Sequence, residues 1–519
     1  MHEDDGGDDR VGTSPQNGQD IYRHEILGLM RREGFLTAWD DVSGKELDAD
    51  EVAKARKLEM DYFEGMRVYD RVPRSHQRLT GGKIIGTRWV DVNKGDSANK
   101  GYRSRLVGKE FRQGGDDSIY ASTPPLEALR AIISYAATHN KGHDGGRRRL
   151  KHIMINDVRR AYFYAKATRD LYIELPPEDT RGSKDQLGKL RLSLYGTRDA
   201  ASNWQETLAS HLVSLGFIRG VGHPCVFVHP DRGIWTMVHG DDYVSAGFSD
   251  GLEWLEEKLG QAYEIKTAHL GPNKSGHSEG KVLNRIIRWS ANGWELEADP
   301  RHAELVIEQL QLQDSKGLTT PSSDDDDHDT EKDKVPLSEA DVTMFRGLAA
   351  RCNYLALDRP DILYASKEIC REMAKPVVGS LNKLRRLGRY LKYRPRVVWS
   401  FVYQHWPQEL HVHADSNWAG CRRTRKSTSG GTIAFGMHTL KCWSRTQSII
   451  AKSSGEAELY GAVCGTCQGL GIRSLYKDFG ESVNLKLFLD ANAAKGIIER
   501  RGLCKVKHID LDNLWLQEQ

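Results

Sequence analysis

The sequence predicts a multidomain α+β protein, and three features of the chain lead to this prediction. First, 519 residues are too many for one hydrophobic core and suggest about three to four domains. Second, segments with the two-residue alternation of strands are interspersed with segments that have the helical period. Third, the polar stretch 319–337, rich in Ser, Asp, Lys and Pro, is typical of a linker between domains.

Charge is segregated along the chain, although the net charge of +3 is unremarkable. Acidic residues collect in the N-terminal tail and over 324–327, whereas basic residues collect over 371–396. Asymmetry of this kind says more about partners than the total charge does. The hydrophobic fraction of 39% and the charged fraction of 28% are ordinary for a globular protein.

Neither a secretory signal nor a membrane span is expected. The start of the chain, MHEDDGGDDR, lacks a basic and an apolar region, and no apolar run reaches about 18 residues. The eight cysteines are scattered, and the close pair Cys464 and Cys467 lacks a second ligand pair, so no zinc site is expected. This use of cysteine fits a reducing compartment.

The elements follow in order along the chain. Residues 1–49 are expected to be disordered or loosely ordered, because the first 20 have little apolar surface to bury. Helical spacing predicts helices over 50–66, 126–140, 202–217 and 250–260, with further helices from 339 to 394. Alternation predicts strands over 84–92, 102–111, the start of 152–165, the segments CVFVHP, IWTMVH and YVSAG, and the segment ELHVHAD.

Two adjacent carboxylates stand at a predicted hairpin tip. Asp241 and Asp242 lie between the apolar segments IWTMVH and YVSAG, where Gly240 permits a tight turn. Asp157, after the strand-like HIMIN, offers a third carboxylate. Mg²⁺ prefers hard oxygen ligands, so three converging carboxylates suit two-metal phosphoryl transfer. The other Asp-Asp pairs are interpreted as solvated loops; they stand at 4–5, 8–9, 40–41, 116–117 and within 324–327.

Several blocks of this sequence resemble copia-type reverse transcriptases, in the family's order. The polymerase blocks are matched by RWVDVNKGDSANKGYRSRLVGKEFRQ, NDVRRAYFYAKATRDLYIELPPE, SLYGTRDAASNWQETLASHLVSLGF and MVHGDDYVSAG. The following blocks are matched by LAARCNYLALDRPDILYASKEICREMAKP and RLGRYLKY. The blocks extend over about residues 50 to 516. The chain therefore resembles the reverse transcriptase and ribonuclease H region of a Pseudoviridae-like LTR retrotransposon polyprotein.

The resemblance implies roles for individual residues. Asp157, Asp241 and Asp242 resemble the metal-binding aspartates of the polymerase. Tyr162 resembles the aromatic residue that stacks under the sugar and excludes a 2′-hydroxyl, although a core tyrosine would give the same pattern. Gly196 resembles the glycine that lets the backbone approach the template and the nucleotide.

Three basic residues lie where the fingers of this family would hold the triphosphate. They are Arg103, Arg105 and Lys109, and their cationic side chains would offset phosphate charge. Which of them does so stays open, because a solvated strand face is the alternative for each.

Two departures from the family pattern stand close to the aspartates. His239 and Gly240 replace the usual Tyr-Val before Asp-Asp, and Arg159 and Arg160 replace the Lys-Thr that often follows Asp157-Val. Neither change removes a metal ligand, but the first puts the packing of the primer end in doubt.

A second set of carboxylates lies near the C-terminus. Asp415 and Asp490 each end a predicted strand, and Glu458 lies at the start of a helix with a serine as N-cap. Glu456 competes for the same role, but an i, i+2 pair points to different helix faces. This strand–helix–strand order is that of the ribonuclease H fold, and cleavage by two metals needs about four carboxylates.

The same family resemblance completes this second set. The run KHID resembles its last block, which implies that Asp510 is the fourth carboxylate and that His508 assists product release or proton movement. A surface or capping histidine is the alternative for His508. The basic stripe at 383, 385, 386, 389 and 392 is expected to track phosphates, with a solvated amphipathic helix as the alternative.

The resemblance implies a right-hand polymerase with fingers, palm and thumb or connection, followed by an α/β ribonuclease H-like domain. The expected ranges are 50–318 for the polymerase, 319–338 for an acidic linker, 339–408 for a helical connection and 409–519 for the ribonuclease H-like domain. The expected metal is Mg²⁺, two ions per active site, with Mn²⁺ as a substitute.

The expected activity is RNA-directed DNA synthesis with cleavage of the RNA strand of the hybrid. The implied partners are an RNA template, a DNA primer or RNA–DNA hybrid, deoxynucleoside triphosphates and other polyprotein products such as capsid and integrase, without a membrane. The implied location is a cytoplasmic virus-like particle with access to the nucleus. The alternative is a catalytically impaired remnant that only binds nucleic acid.

Overall fold

The computed structural model describes residues 38–95, 100–111, 121–139, 149–272, 277–323 and 330–500, with 502, 509 and 511–518. The chain forms two compact units. The first comprises Met1–Ala121 and Arg160–Thr207, and the second comprises Ser122–Arg159 and Leu208–Gln519. Both contain helices and strands, so the prediction of a multidomain chain with mixed α and β structure is confirmed.

The first unit is built on a four-stranded sheet. Its strands lie in the order Tyr69–Pro73, Gln186–Leu190, Leu171–Glu174 and Lys83–Ile85. Two smaller antiparallel pairs accompany it, formed by Ala38–Trp39 with Glu46–Leu47 and by Thr87–Asn93 with Tyr102–Gly108. The helical segments are Ala49–Met66, Arg74–Thr80, the 3-10 turn Ala161–Tyr164 and the start of Ala200–Ser214.

Two predictions for the first unit need correction. The predicted strand 84–92 is divided at Gly86, because its first part pairs with Leu171–Glu174 and its second with Tyr102–Gly108. Part of the stretch 1–49 is ordered. Residues 38–49 form two short paired strands and the start of a helix whose N-cap, Asp48, accepts hydrogen bonds from two backbone N–H groups.

The second unit contains a six-stranded antiparallel sheet. Its strands lie in the order Ile218–Arg219, Val226–His229, Ile234–His239, Asp242–Gly247, His152–Val158 and Ile265–Leu270. Helices Leu126–Ala136 and Ser249–Ala262 pack against it, and the first is buried along most of its length. This sheet confirms the strands predicted on both sides of Asp241 and Asp242.

A four-stranded antiparallel sheet joins distant parts of the second unit. It consists of Glu279–Val282, Arg285–Ser290, Gly293–Ala298 and Val398–Val402. The prediction that 339–408 is helical is therefore wrong at its end. Strand Val398–Val402 pairs with Gly293–Ala298, a partner on the far side of the polar stretch 319–337.

A helical layer also unites residues from both sides of that polar stretch. It comprises Arg301–Gln309, Glu339–Ala356, Leu363–Cys370 and Val378–Tyr393, with a 3-10 turn at Pro360–Ile362. Val306, from before the polar stretch, is fully buried in the same apolar cluster as Leu348 and Leu384. The polar composition thus marks a connection between two parts of one core.

The C-terminal sheet has the order His438–Thr446, Thr428–Phe435, Glu409–Asn417 and Asn484–Phe488, and the last pair is parallel. Helix Ser454–Asp478 covers one face, and Asn492–Ile498 and the 3-10 segment Leu511–Glu518 follow it. The Trp235 ring of the six-stranded sheet stacks on the ring of Phe479, with centroids 4.3 Å apart. The predicted boundaries near 318, 338 and 408 all fall within this second unit, and the domain division stays a prediction.

None of the helices in the described part of the chain has the length and apolar character that a membrane crossing requires.

Candidate active sites

The structure brings the first carboxylate cluster together at one end of the six-stranded sheet; this cluster is Asp157, Asp241 and Asp242. Asp157 lies directly opposite Asp242, because strands His152–Val158 and Asp242–Gly247 are antiparallel neighbours. Asp241 occupies the turn before the second strand, and its carbonyl accepts the backbone N–H of Val158 at 2.9 Å. The ladder of strand pairs therefore fixes the spacing of all three residues.

Electrostatic repulsion is visible within this cluster. Burial, followed by the charges of Asp241 and Asp157, raises the pKa of Asp242 to about 6. A carboxyl crowded by two others holds its proton more firmly, and a divalent cation would reverse this preference. Gly240, at the turn, has φ +63°, and its Cβ position is open, so its role there is conformational.

The second carboxylate cluster is Asp415, Glu458 and Asp490. Each offers one oxygen, and these atoms lie within 4.8 Å of one another; among the described residues, this is the one group of three or more potential ligands gathered in this way. Asp415 lies near the end of strand Glu409–Asn417, and Asp490 follows the parallel neighbour Asn484–Phe488. Parallel strands bring their carboxyl ends to the same sheet edge, where the helix supplies the third carboxylate.

Glu458 is the buried member of the second cluster. Its Oε1 accepts the backbone N–H of Ser416 at 3.2 Å, whereas its Oε2 has no hydrogen-bond partner in the structure. Burial, followed by the charges of Asp415 and Asp490, raises its pKa to about 7. An unpartnered buried oxygen in a centre of like charge fits a cation ligand.

Glu456 has a different task from Glu458. Its Oε2 accepts the backbone N–H of Lys452 at 2.8 Å, and its Oε1 accepts the hydroxyl of Tyr460 at 2.8 Å. Ser453 caps the helix by accepting the N–H of Glu456, as the sequence predicted. These bonds hold the start of the helix and leave Glu458 to the cluster.

Both clusters consist of hard carboxylate oxygens, which suit Mg²⁺ or Mn²⁺. The second is gathered closely enough for three ligands to reach one ion. The first is held by its strands, and the raised pKa of Asp242 shows the charge that an ion would neutralise. The residues present therefore fit the metal that the sequence implied.

The predicted substrate-binding residues Arg103, Arg105 and Tyr162 belong to the first unit. The guanidinium of Arg105 lies 4.6 Å from the centre of the Tyr195 ring, and the Tyr162 ring lies 4.5 Å from the same ring. Burial lowers the pKa of Arg103, and the neighbouring charge of Arg105 lowers it further. Two crowded guanidinium groups form a centre of positive charge that suits an anion.

Gly196 and Lys109 complete the predicted set in the first unit. Gly196 has φ +84°, and a Cβ there would lie 2.2 Å from the carbonyl oxygen of Gly108. The glycine is therefore required by close approach to the chain's own backbone. Lys109 is exposed, and its backbone N–H donates to the carbonyl of Gly86 at 2.8 Å.

Asp510 and His508 lie outside the described residues. Ile509, between them, is buried beside Leu459 and Leu514.

Three side chains of the basic stripe on helix Val378–Tyr393 form hydrogen bonds within the protein. Arg389 donates to the carbonyl of Lys316 at 2.7 Å, Arg386 donates to the hydroxyl of Thr320 at 2.8 Å, and Lys392 donates to the carbonyls of Gln313 and Ser315. These contacts favour the alternative of an amphipathic helix for these three side chains, and phosphate tracking stays a prediction. They hold the segment 313–320 against the helix.

Sequence reasoning missed the residues that hold the second cluster in place. The Nε2 group of Gln447 lies within hydrogen-bond distance of the Ser416 hydroxyl, the Ser429 hydroxyl and the Ala457 carbonyl, at 3.1, 2.9 and 2.8 Å. It thereby ties two strands to the start of the helix that carries Glu458. A lone Gln in a polar loop carries no sequence signal for such a role.

Comparisons with known proteins identify a family and several relatives of this chain. The family described as reverse transcriptase (RNA-dependent DNA polymerase) matches residues 68–324. The retrovirus-related Pol polyprotein from transposon RE1 of Arabidopsis thaliana is 27% identical over 416 residues, which cover 78% of this chain and 26% of that protein. Its counterpart from transposon RE2 is 26% identical over 471 residues, 88% of this chain and 30% of that protein.

Two further likenesses differ in extent. An uncharacterized mitochondrial protein of Arabidopsis thaliana is 31% identical over 228 residues, which cover 43% of this chain and 88% of that protein. A solved foamy viral protease-reverse transcriptase in complex with double-stranded DNA is 11% identical, with a TM-score of 0.48, covering 97% of this chain and 78% of that one. The chain spans about a quarter to a third of the length of the plant transposon polyproteins it matches.

Proposed function

This chain belongs to the reverse transcriptase family of copia-type retrotransposon Pol polyproteins, and from that premise we propose that it copies RNA into DNA and cleaves the RNA strand of the resulting hybrid. The observation that carries the polymerase proposal is the pairing of Asp157 with Asp242 beside Asp241. Three carboxylates fixed by a sheet are what nucleotidyl transfer on two metal ions requires.

The metal ions, when bound, would offset the charge that develops on the transferred phosphoryl group. Asp157, Asp241 and Asp242 would hold them in the polymerase centre. Arg103 and Arg105 would bind the phosphates of the incoming nucleotide, and the Tyr162 ring would exclude a 2′-hydroxyl. The crowding of the two guanidinium groups supports the first role.

The nuclease part of the proposal rests on Asp415, Glu458 and Asp490. These three carboxylates each offer an oxygen within 4.8 Å of the others, and the buried Glu458 also has an unpartnered Oε2, so the set suits divalent ions on a phosphodiester. Asp510 would add a fourth carboxylate, and His508 would assist product release.

The test is primer extension on a homopolymer RNA template and cleavage of a labelled RNA–DNA hybrid, both with Mg²⁺ and with Mn²⁺. We expect Asp241→Asn to abolish extension and leave cleavage intact, and Asp415→Asn to do the reverse. Each variant thus serves as the folding control for the other. A purified, folded wild-type chain that extends no primer under either metal would overturn the polymerase proposal.

The second candidate function is nucleic acid binding by a catalytically impaired remnant. It is favoured by His239-Gly240 in place of the family's Tyr-Val. Hybrid binding of wild-type strength without extension or cleavage would support it.

The proposed partners are an RNA template, a DNA primer, deoxynucleoside triphosphates and other products of the polyprotein, such as capsid and integrase. A cytoplasmic virus-like particle with access to the nucleus stays a prediction from the family resemblance.

A further inference from the structure

A helix that precedes the family-matched region contacts the turn that follows Asp157 in sequence. The helix is Ala49–Met66, and the family match begins at residue 68. Glu59, Tyr62 and Phe63 lie at positions i, i+3 and i+4, so they share one helix face. All three contact residues 160–163, within the first unit.

Arg160 is held by two of these side chains. Its Nε atom and one terminal nitrogen each lie 2.9 Å from Oε2 of Glu59, and the centre of the Tyr62 ring lies 3.4 Å from its Cζ atom. Phe63 packs edge-on against Phe163, with ring centroids 4.9 Å apart. We call Glu59, Tyr62 and Arg160 the arginine clamp.

The arginine clamp contains a buried carboxylate, that of Glu59. Glu59 is 2% exposed, and its Oε1 has no hydrogen-bond partner in the structure. A buried carboxylate needs a cation, and Arg160 supplies it with two nitrogens on one oxygen. Loss of Arg160 would leave an uncompensated buried charge on Glu59.

The residue that the clamp holds has an unfavourable backbone. Arg160 has φ +53° and ψ +43°, the left-handed region that L-residues rarely adopt. It begins the 3-10 turn Ala161–Tyr164, in which its carbonyl accepts the N–H of Phe163 at 2.9 Å and the carbonyl of Tyr162 accepts the N–H of Ala165 at 3.1 Å. The turn that presents Tyr162 therefore starts at a conformation that needs outside support.

We propose that the arginine clamp positions Tyr162 and thereby sets discrimination between deoxyribonucleotides and ribonucleotides. The inference rests on the proposed polymerase function. Glu59, Tyr62 and Arg160 are positioning residues, because they act through the turn and through the Tyr162 ring that lies against Tyr195.

The experiment compares kcat/KM for a deoxyribonucleotide and the matching ribonucleotide in the full chain. Glu59→Gln and Arg160→Ala should lower the selectivity ratio by about tenfold, because small displacements at a reacting centre have large effects. Arg160→Gly should lose less than Arg160→Ala, because glycine adopts the left-handed conformation freely. Glu51→Gln, on the same helix in an exposed pair with Lys54, is the matched control.

A double-variant cycle separates positioning from general damage. Tyr162→Ala should lower selectivity on its own, and adding Glu59→Gln to it should lower selectivity no further. Amide exchange at Phe163 and Ala165 should speed up by at least about tenfold in Glu59→Gln, because the turn loses its anchor.

Two results would overturn the inference. One is a Glu59→Gln chain that keeps the wild-type selectivity ratio while its rate falls equally for both nucleotides. The other is unchanged amide exchange at Phe163 and Ala165 in that variant. A wild-type chain that extends no primer would instead overturn the proposed function, and with it any role in selectivity.

Discussion

The carboxylate of Asp478 lies 2.8 Å from Nδ1 of His223 and also accepts the backbone N–H groups of Val221, Gly222 and His223. Asp478 ends the long helix of the C-terminal sheet, and the loop 221–223 leads into the six-stranded sheet. One side chain therefore accepts the backbone N–H groups of a loop that belongs to another layer. Together with the stack of Trp235 on Phe479, it fastens the two layers of the second unit.

Replacing Asp478 should weaken this junction. Burial alone would raise the pKa of Asp478, but the bonds from His223 and the backbone N–H groups outweigh it, and the pKa lies below its usual value. Asp478→Asn should therefore lower the free energy of unfolding by about 1–3 kcal/mol near neutral pH, measured in urea. A carboxyl group whose pKa is lowered by folding stabilises the protein at pH values above its pKa in the unfolded state. The difference in the free energy of unfolding between Asp478→Asn and wild type should therefore shrink as pH falls below about 4. An unaltered difference at pH 3 would contradict this origin.

Glu456 and Glu458 should separate stability from catalysis. Glu456→Gln should lower the free energy of unfolding by about 1 kcal/mol and keep hybrid cleavage, because Glu456 only holds the helix start. Glu458→Gln should abolish cleavage and leave the folded state intact. Urea unfolding and hybrid cleavage measure the two effects. If Glu456→Gln lost cleavage and kept its stability, Glu456 would belong to the cleavage site and Glu458 would be the residue that holds the helix start.

The second cluster should bind metal in a pH-dependent way. Burial, Asp415 and Asp490 raise the pKa of Glu458 to about 7, so its contribution to stability is full below about pH 4.5 and is lost as pH rises through 7. Mn²⁺ should therefore stabilise the protein more at pH 8 than at pH 5.5, with release of a proton below pH 7. Thermal unfolding with and without the ion measures this. Glu458→Gln should remove the pH dependence, and a shift that persists in this variant would contradict the prediction.

Gly196→Ala should destabilise the first unit, because the backbone of Gly108 leaves no room for a Cβ atom at this position. The new Cβ would overlap the carbonyl of Gly108, so we expect a loss of at least about 2 kcal/mol. Gly240→Ala is the matched control, because its φ is also positive but its Cβ position is open, and we expect about 1 kcal/mol. Urea unfolding of both variants tests the comparison, and equal losses would show that overlap contributes nothing.

Lys392→Gln should lower stability and leave hybrid binding unchanged. Lys392 donates to the carbonyls of Gln313 and Ser315 at a partly exposed site, where water can replace it, so its loss should cost about 1 kcal/mol. The salt dependence of hybrid binding should keep its slope. Arg385→Gln, an exposed neighbour on the same helix, should leave stability within about 0.5 kcal/mol of wild type. A shallower salt slope in Lys392→Gln would instead support phosphate tracking by this side chain.

Local patterns predicted the first carboxylate cluster well. The apolar alternation on both sides of Asp241 and Asp242 is a short-range signal, and the strands formed where it occurs. The helix start at Ser453 was predictable for the same reason, because a cap acts within one turn. The placement of Asp157 opposite Asp242 needed the family resemblance, since strand order is not a local property.

Pairings between residues far apart in the chain could not be predicted from local sequence patterns. The polar stretch 319–337 has the composition of a domain boundary, yet Gly293–Ala298 and Val398–Val402 pair across it. Arg130, Asp358 and Arg285 form a buried ionic group whose members read as ordinary surface charges in sequence. Charge predicts exposure only where no partner arrives from elsewhere in the chain.

The strand pair across the polar stretch constrains how a nascent chain can fold. Strand Gly293–Ala298 and helix Arg301–Gln309 leave the ribosome long before their partners Val398–Val402 and Val378–Tyr393. Until then, one sheet edge and one apolar helix face have no cover, and such surfaces attract chaperones or other unfinished chains. Translation that stops between the two strands would yield an aggregation-prone product, so folding of this half is completed late in synthesis.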